Sequence, residues 1–127
     1  MNIQKTILII EDEKSLRGAL VDFLLLKNFL PIEAKNGREG ADIALAKHPD
    51  LILLDLIMPE MDGMATLKKI REDIWGANVP IIILTNLSAN KGQSKDVTIT
   101  NEATHYFIKS DWKLHDIVKE IEKILEK

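Results

Sequence analysis

Acidic, hydroxyl and basic side chains follow the apolar blocks of this 127-residue sequence, at the point where each block ends. Glu11 and Asp12 follow the first block, Asp55 follows a middle block, Thr85 the next, and Lys109 the last. An aspartate can attack phosphorus and form an aspartyl phosphate. Because phosphoryl transfer depends mainly on positioning and charge stabilisation, a lysine would neutralise the transferred group and a threonine would donate a hydrogen bond to it. These residue types therefore indicate phosphoryl transfer to Asp55.

The same acids are candidate metal ligands. Clustered carboxylates repel one another unless a cation lies between them. A set of oxygen ligands that leaves coordination places for water suits Mg²⁺, which a phosphate oxygen readily completes. Zinc is disfavoured because it prefers nitrogen and sulfur, and the three histidines, His48, His105 and His115, have no zinc-motif spacing. The sequence therefore predicts a magnesium site.

Three continuous apolar blocks, residues 7–10, 51–54 and 81–84, predict strands, because each block is too short for a typical helix. Continuous apolar character indicates burial on both faces, as in a parallel sheet covered by helices. Weaker strand patterns at residues 31–35 and 105–108 complete a predicted sheet of five strands.

Helical patterns separate the predicted strands, with apolar residues recurring at three- and four-residue spacing. They cover residues 15–29, 37–47, 64–73 and 114–125, and residues 91–104 are expected to supply a further helix. Asp12 or Ser15 could cap the first helix. The order of strand and helix, five times over, predicts an α/β fold with a doubly wound parallel sheet, (βα)5, and right-handed crossovers.

This architecture would bring the chemical side chains together. In an open parallel sheet the carboxyl ends of the strands share one edge, and ligands bind there at the point where the strand order reverses. If the first and third strands are neighbours, the backbones of Asp12 and Asp55 lie roughly 5 Å apart, the spacing of adjacent strands. We therefore expect one site built from the ends of four strands.

The acidic pair, Thr85, Lys109 and the block Asp-Leu-Ile-Met-Pro-Glu-Met-Asp-Gly at residues 55–63 resemble the receiver domain of two-component response regulators, including the chemotaxis regulators. The resemblance covers essentially the whole chain. It implies a flavodoxin-like fold with strand order 2-1-3-4-5 and a single receiver domain over residues 1–127.

The resemblance also implies roles for individual residues. Asp55 would be the phosphoacceptor, and Mg²⁺ would be held by Glu11, Asp12, Asp55 and the backbone carbonyl of Ile57. Thr85 and Tyr106 would occupy the positions of the family's switch residues. The implied chemistry is only the protein's own phosphorylation and dephosphorylation, so we expect a signalling switch and not an enzyme.

The implied partners are a sensor histidine kinase or a phosphotransfer protein, which would supply the phosphoryl group, and an unknown downstream protein. Output would come from protein–protein binding. We expect a monomer or a weak homodimer.

Composition and charge limit the function classes further. The net charge is −3 and no basic stripe is present, which disfavours direct nucleic-acid binding. The apolar runs are far shorter than the roughly 20 residues of a spanning helix, and the N-terminus lacks a signal-peptide pattern. No cysteine is present, which excludes thiolate metal sites and fits a reducing compartment. We therefore expect a cytoplasmic protein without membrane contact.

Two alternative functions remain open. The presence of all the key side chains counts against a receiver-like module acting without phosphorylation, but Ser110, where the family usually has proline, and Asn86, where it usually has a small residue, keep this alternative open. A phosphohydrolase of the haloacid-dehalogenase type would also use an aspartate, Mg²⁺, a threonine and a lysine. That class places its aspartate after the first strand and a second aspartate two residues later, whereas Asp55 follows the third strand and is succeeded by Ile57 at that spacing.

Overall fold

The computed structural model describes residues 4–55, 63–85, 105–108 and 113–125, and for Thr85 and residues 105–108 it describes the backbone alone. Strands and helices alternate from residue 6 to residue 85. The strands are β1 Thr6–Ile10, β2 Leu30–Ala34, β3 Leu51–Asp55, β4 Ile81–Thr85 and β5 His105–Ile108. The helices are α1 Lys14–Leu26, α2 Gly37–Lys47, α3 Gly63–Glu72 and α4 Leu114–Leu125, with a 3-10 turn at Trp75–Ala77.

The five strands form one parallel sheet in the order β2-β1-β3-β4-β5. The strand order reverses between β1 and β3, because the chain moves outward from β1 to β2 and then crosses to the other side of β1. The predicted flavodoxin-like, doubly wound fold is thus confirmed. The reversal point lies at the ends of the two strands that carry the acidic residues.

Alternate side chains of the strands pack on opposite faces of the sheet. Ile7 and Ile9 belong to the core layer that β1 shares with α1 and α4, and Leu8 and Ile10 to the layer that it shares with α2 and α3. All four side chains are fully buried. Burial on both faces explains why the blocks of the sequence are continuously apolar.

The ends of helix α1 differ from the prediction. The helix stops at Leu26, because Asn28 has a φ of 70°, a left-handed conformation that a right-handed helix excludes. Phe29 therefore lies outside the helix, where it is buried. The predicted caps Asp12 and Ser15 are wrong: the N-cap is Glu13, which makes no side-chain capping bond.

The other predicted elements are confirmed to within a residue, except the helix predicted at residues 91–104, which lies outside the described residues. Among the helices of the described ranges, none has the length and apolar character needed to cross a membrane.

Candidate functional site

The register of β1 and β3 brings two acids to the same level of the sheet. Ile10 pairs with Leu54, so Glu11, which follows β1, lies beside Asp55, the last residue of β3. The N–H of Glu11 still donates to the carbonyl of Ala34 at 3.1 Å, which ties this residue to β2 as well. Glu11 is fully buried and Asp55 is 3% exposed. Both carboxylates are therefore fixed by the central strands of the sheet.

Asp12 completes a cluster with these two acids. One carboxylate oxygen from each of Glu11, Asp12 and Asp55 lies within 4.8 Å of the others, and Asp12 is exposed where the other two are buried. Unit charges at such distances interact by roughly 4 kcal/mol where the effective dielectric constant is about 20. The structure thus brings together three of the predicted site residues, in an arrangement that favours a bound cation.

The donor set fits one kind of metal ion better than others. It consists of carboxylate oxygens from the two residues that follow β1 and from the last residue of β3, with Asp12 open to solvent. Mg²⁺ takes oxygen ligands, usually keeps several waters, and is commonly bound by one or two carboxylates plus a phosphate. The cluster therefore has the chemistry of a magnesium site in which further positions can be taken by water and a phosphoryl oxygen.

The turn that carries the acids is held by hydrogen bonds on two sides. The Glu13 N–H donates to Oε2 of Glu11 at 3.2 Å, and Nη1 of Arg17 donates to the Glu11 carbonyl at 2.8 Å. Nε of Arg17 also donates to Oε1 of Glu33 on β2 at 3.0 Å. Sequence reasoning missed Arg17, because a basic residue in an amphipathic helix pattern carries no signal of a role at the site.

The remaining predicted residues are placed by backbone or lie outside the described ranges. Leu84 pairs with Asp55, so Thr85, at the end of β4, is one residue beyond the level of Asp55. Thr85 pairs with Ile108, the last residue of β5, and Tyr106 pairs with Ile83. Ile57 and Lys109 lie outside the described residues, as do Asn86 and Ser110.

Residues 7–122 match the family model of the response regulator receiver domain. Among curated proteins, the chain is 31% identical over 116 residues to the nitrate/nitrite response regulator protein NarL of Escherichia coli K12, covering 90% of this chain and 51% of NarL. It is 31% identical over 122 residues to a protein-glutamate methylesterase/protein-glutamine glutaminase of Archaeoglobus fulgidus, covering 95% of this chain and 34% of that protein. It is also 41% identical over 86 residues to histidine kinase P4 of Formosa agariphila, covering 68% of this chain and 6% of that protein. The chain thus spans only part of the length of these relatives.

Solved structures agree with the sequence comparison. The chemotaxis protein CheY4 of Vibrio cholerae superimposes with a TM-score of 0.84 at 24% identity, over 97% of this chain and 100% of CheY4, which shows the shared fold. The response regulator TrrA of Thermotoga maritima, solved in complex with Mg²⁺ and BeF, has a TM-score of 0.81 at 26% identity, over 96% of this chain and 100% of TrrA. With the family match over most of its length and the acids gathered at the switch point of the sheet, this chain belongs to the family of response regulator receiver domains, the phosphoaccepting switches of two-component signalling.

Proposed function

We propose that this chain accepts a phosphoryl group on Asp55 in a Mg²⁺-dependent reaction and passes the signal on by binding another protein. The observation that carries the proposal is the cluster of Glu11, Asp12 and Asp55, whose carboxylate oxygens lie within 4.8 Å at the switch point of the sheet. Ligands of open parallel sheets bind at this point.

Asp55 is suited to act as the nucleophile. It ends a central strand that is paired on both sides, with β1 and with β4, so its backbone is held in place before any donor arrives. One carboxylate oxygen of Asp55 would form a bond to phosphorus while the bond between phosphorus and the donor breaks. The positioning of the reacting oxygen by the sheet is the main contribution of the fold to this step.

Glu11, Asp12 and Asp55 would hold the magnesium ion, together with the backbone carbonyl of Ile57. When bound, Mg²⁺ would supply positive charge against the phosphoryl oxygens and relieve the repulsion among the three carboxylates. The similarity to TrrA, which was solved with Mg²⁺ and BeF, supports this assignment.

The proposed roles of Thr85 and Lys109 rest on the position of Thr85 as the last residue of β4 and on the place of Lys109 in the sequence, directly after Ile108. Lys109 would neutralise charge on the phosphoryl group, and Thr85 would donate a hydrogen bond to it. Thr85 and Tyr106 would form the switch that reports phosphorylation to the surface. The chemistry of the chain would be limited to its own phosphorylation and dephosphorylation.

We propose a sensor histidine kinase or a phosphotransfer protein as the phosphoryl donor and a downstream protein as the receiver of the signal. The similarity to a histidine kinase and to a response regulator is consistent with both kinds of partner. The net charge of −3 argues against direct nucleic-acid binding. We further propose a single receiver domain over residues 1–127, located in the cytoplasm, as a monomer or a weak homodimer.

The family match argues against one of the two alternative functions and leaves the other to experiment. A haloacid-dehalogenase-type phosphohydrolase is disfavoured by the family match and by the position of Asp55 at the end of β3, since that class has its aspartate after the first strand. A receiver-like module that acts without phosphorylation differs from the proposal only in reactivity. Labelling of the protein therefore distinguishes it.

The direct test is incubation with Mg²⁺ and acetyl phosphate, followed by intact mass measurement. We expect the mass of one added phosphoryl group in the wild-type protein and none in Asp55→Asn. Excess chelator should abolish the added mass. Labelling that persists in Asp55→Asn would exclude Asp55 as the acceptor, and a wild-type protein that stays unlabelled would favour the module acting without phosphorylation.

A further inference from the structure

We infer that Arg17 is a positioning residue for the metal-binding turn, which we define as residues 11–13. The inference rests on the proposed function, because it concerns Mg²⁺ binding by the same acids. Arg17 does not belong to the acidic cluster itself. It would act through the backbone of the turn and not by touching the metal ion.

The side chain of Arg17 joins three parts of the fold. Arg17 lies in the first turn of α1, and its Nη1 donates to the carbonyl of Glu11 at 2.8 Å. Its Nε donates to Oε1 of Glu33 on β2 at 3.0 Å. The Arg17 side chain is 15% exposed, whereas that of Glu33 is 51% exposed. The guanidinium group is therefore well shielded from solvent. Two of its coplanar N–H donors bind it to an acceptor on the turn and to one on β2.

The two hydrogen bonds of the turn fix the backbone on both sides of Asp12. The Glu11 carbonyl belongs to the peptide plane before Asp12, and Arg17 holds that plane. The Glu13 N–H belongs to the plane after Asp12, and Oε2 of Glu11 holds that plane. Because both planes are held, the direction in which the Asp12 side chain leaves the backbone is set before a metal ion binds. Asp12 is itself exposed, so the hydrogen bonds of the adjacent Glu11 carbonyl and Glu13 N–H provide the order that burial provides for the carboxylates of Glu11 and Asp55.

If Arg17 acted only through its charge, its removal would change the affinity for Mg²⁺ in the opposite direction from the loss of a positioning residue. A guanidinium cation near the acids would repel Mg²⁺, so its removal should strengthen binding. Removal of the negative charge of Glu33 should weaken binding on the same argument. If Arg17 instead positions the turn, its removal weakens Mg²⁺ binding although a positive charge is lost. The sign of the change therefore separates the two roles.

The experiment compares Arg17→Met, which keeps the apolar stem and deletes all donors, with Glu33→Gln, which keeps an oxygen acceptor for Nε. Mg²⁺ affinity is measured from the rise in melting temperature with MgCl₂ at constant ionic strength, which requires no phosphoryl transfer. We expect the dissociation constant to rise about tenfold in Arg17→Met, the lower end of the effect of losing a residue that orients a metal ligand. We expect no change beyond about twofold in Glu33→Gln, because exposed ion pairs contribute little.

Labelling with acetyl phosphate provides a second measurement. In Arg17→Met the half-saturating Mg²⁺ concentration should rise by the same factor, while the half-saturating acetyl phosphate concentration at saturating Mg²⁺ should stay unchanged. A variant that is merely less stable, but folded at the assay temperature, would shift neither constant. A cooperative unfolding transition, measured in chelator, shows that each variant is folded before it is heated.

If Arg17→Met does not fold, Arg17→Lys provides the test of the positioning role. It keeps the charge but lacks the planar fork that reaches two acceptors, so weakened Mg²⁺ binding is expected. Unchanged or tighter Mg²⁺ binding in a folded Arg17 variant would overturn the inference. A wild-type protein that shows no Mg²⁺-dependent melting and no labelling would instead refute the proposed function, so the two failures are distinguishable.

Discussion

Gly40 of α2 lies directly against the side chain of Ile10 in β1. A Cβ atom at Gly40 would lie 2.6 Å from Cγ1 of Ile10 and 2.9 Å from its Cγ2, closer than real Cβ contacts allow. Ile10 is fully buried and immediately precedes Glu11. The missing side chain of Gly40 therefore lets α2 approach the strand that delivers the first acid of the site.

We predict that Gly40→Ala destabilises the protein by about 1 to 3 kcal/mol, the usual range for an added methyl group in a packed core. Ile10 cannot easily move aside, because it is β-branched and enclosed on all sides. Urea unfolding in chelator measures the change. Since Ile10 adjoins the metal-binding turn, the Mg²⁺-dependent rise in melting temperature should also decrease.

Gly18 of α1 provides the matched control. A Cβ atom there would meet nothing within 4 Å, so Gly18→Ala should raise the free energy of unfolding by up to about 1 kcal/mol through helix propensity alone. If Gly40→Ala and Gly18→Ala both stabilised the protein, this result would show that Ile10 does not limit the size of the side chain at residue 40.

Neutralising Asp55 should stabilise the protein when no Mg²⁺ is present. The three carboxylates of the cluster repel one another, and two of them are buried, so Asp55→Asn should raise the free energy of unfolding in chelator by about 1 kcal/mol or more. The same variant should lose the stabilisation by Mg²⁺, which in the wild type amounts to about 1.4 kcal/mol at ten times the dissociation constant. Urea unfolding with and without MgCl₂ measures both effects.

Asp42→Asn is the control for this prediction, because Asp42 is an exposed residue of α2 and its loss changes the net charge equally. Its stability should change by no more than about 0.5 kcal/mol and its response to Mg²⁺ should stay intact. Equal effects of Asp42→Asn and Asp55→Asn would show that net charge, and not the cluster, governs stability.

His48 ends α2 in a left-handed conformation, with φ 50° and ψ 62°, while its ring stacks on Trp75 with centroids 4.5 Å apart. Glycine adopts this conformation without the steric cost of a Cβ atom. Because His48→Gly and His48→Ala both delete the stacked ring, we predict that the glycine variant is the more stable of the two by about 1 kcal/mol. Chemical unfolding measures the difference, and an alanine variant as stable as the glycine variant would contradict the backbone argument.

For residues 91–104, which lie outside the described residues, a prediction follows from composition and from the resemblance to receiver domains. Gly92 and the β-branched run at residues 97–100 lower helix propensity by a kcal/mol or more relative to alanine. Elements that move during switching come from the weakly held parts of a structure. We therefore expect fast hydrogen exchange here in the free protein and a change after phosphorylation. Asp55→Asn treated with acetyl phosphate should show no change, and strong protection identical in both states would refute the prediction.

The sequence alone determined the fold class and most of the element boundaries. Residues 7–10, 51–54 and 81–84 are continuously apolar because they are buried on both faces, and this local pattern requires no knowledge of the neighbouring strands. The order of the elements then implied a parallel sheet, and the polar residues that end its strands indicated the site. Local patterns were weaker at the ends of α1, where Phe29 is apolar enough to extend a helix pattern although it packs outside the helix.

Only the tertiary structure decided how the site is assembled. The register that pairs Ile10 with Leu54 sets Glu11 next to Asp55. The sequence of one strand alone does not determine this register, because it depends on how the two strands pair. The bond from Arg17 to the Glu11 carbonyl depends on the angle at which α1 leaves the sheet, and the approach of Gly40 to Ile10 depends on the path of α2. These contacts join residues that different elements contribute, and their distances follow from packing the helices onto the sheet, which a pattern along one segment does not contain.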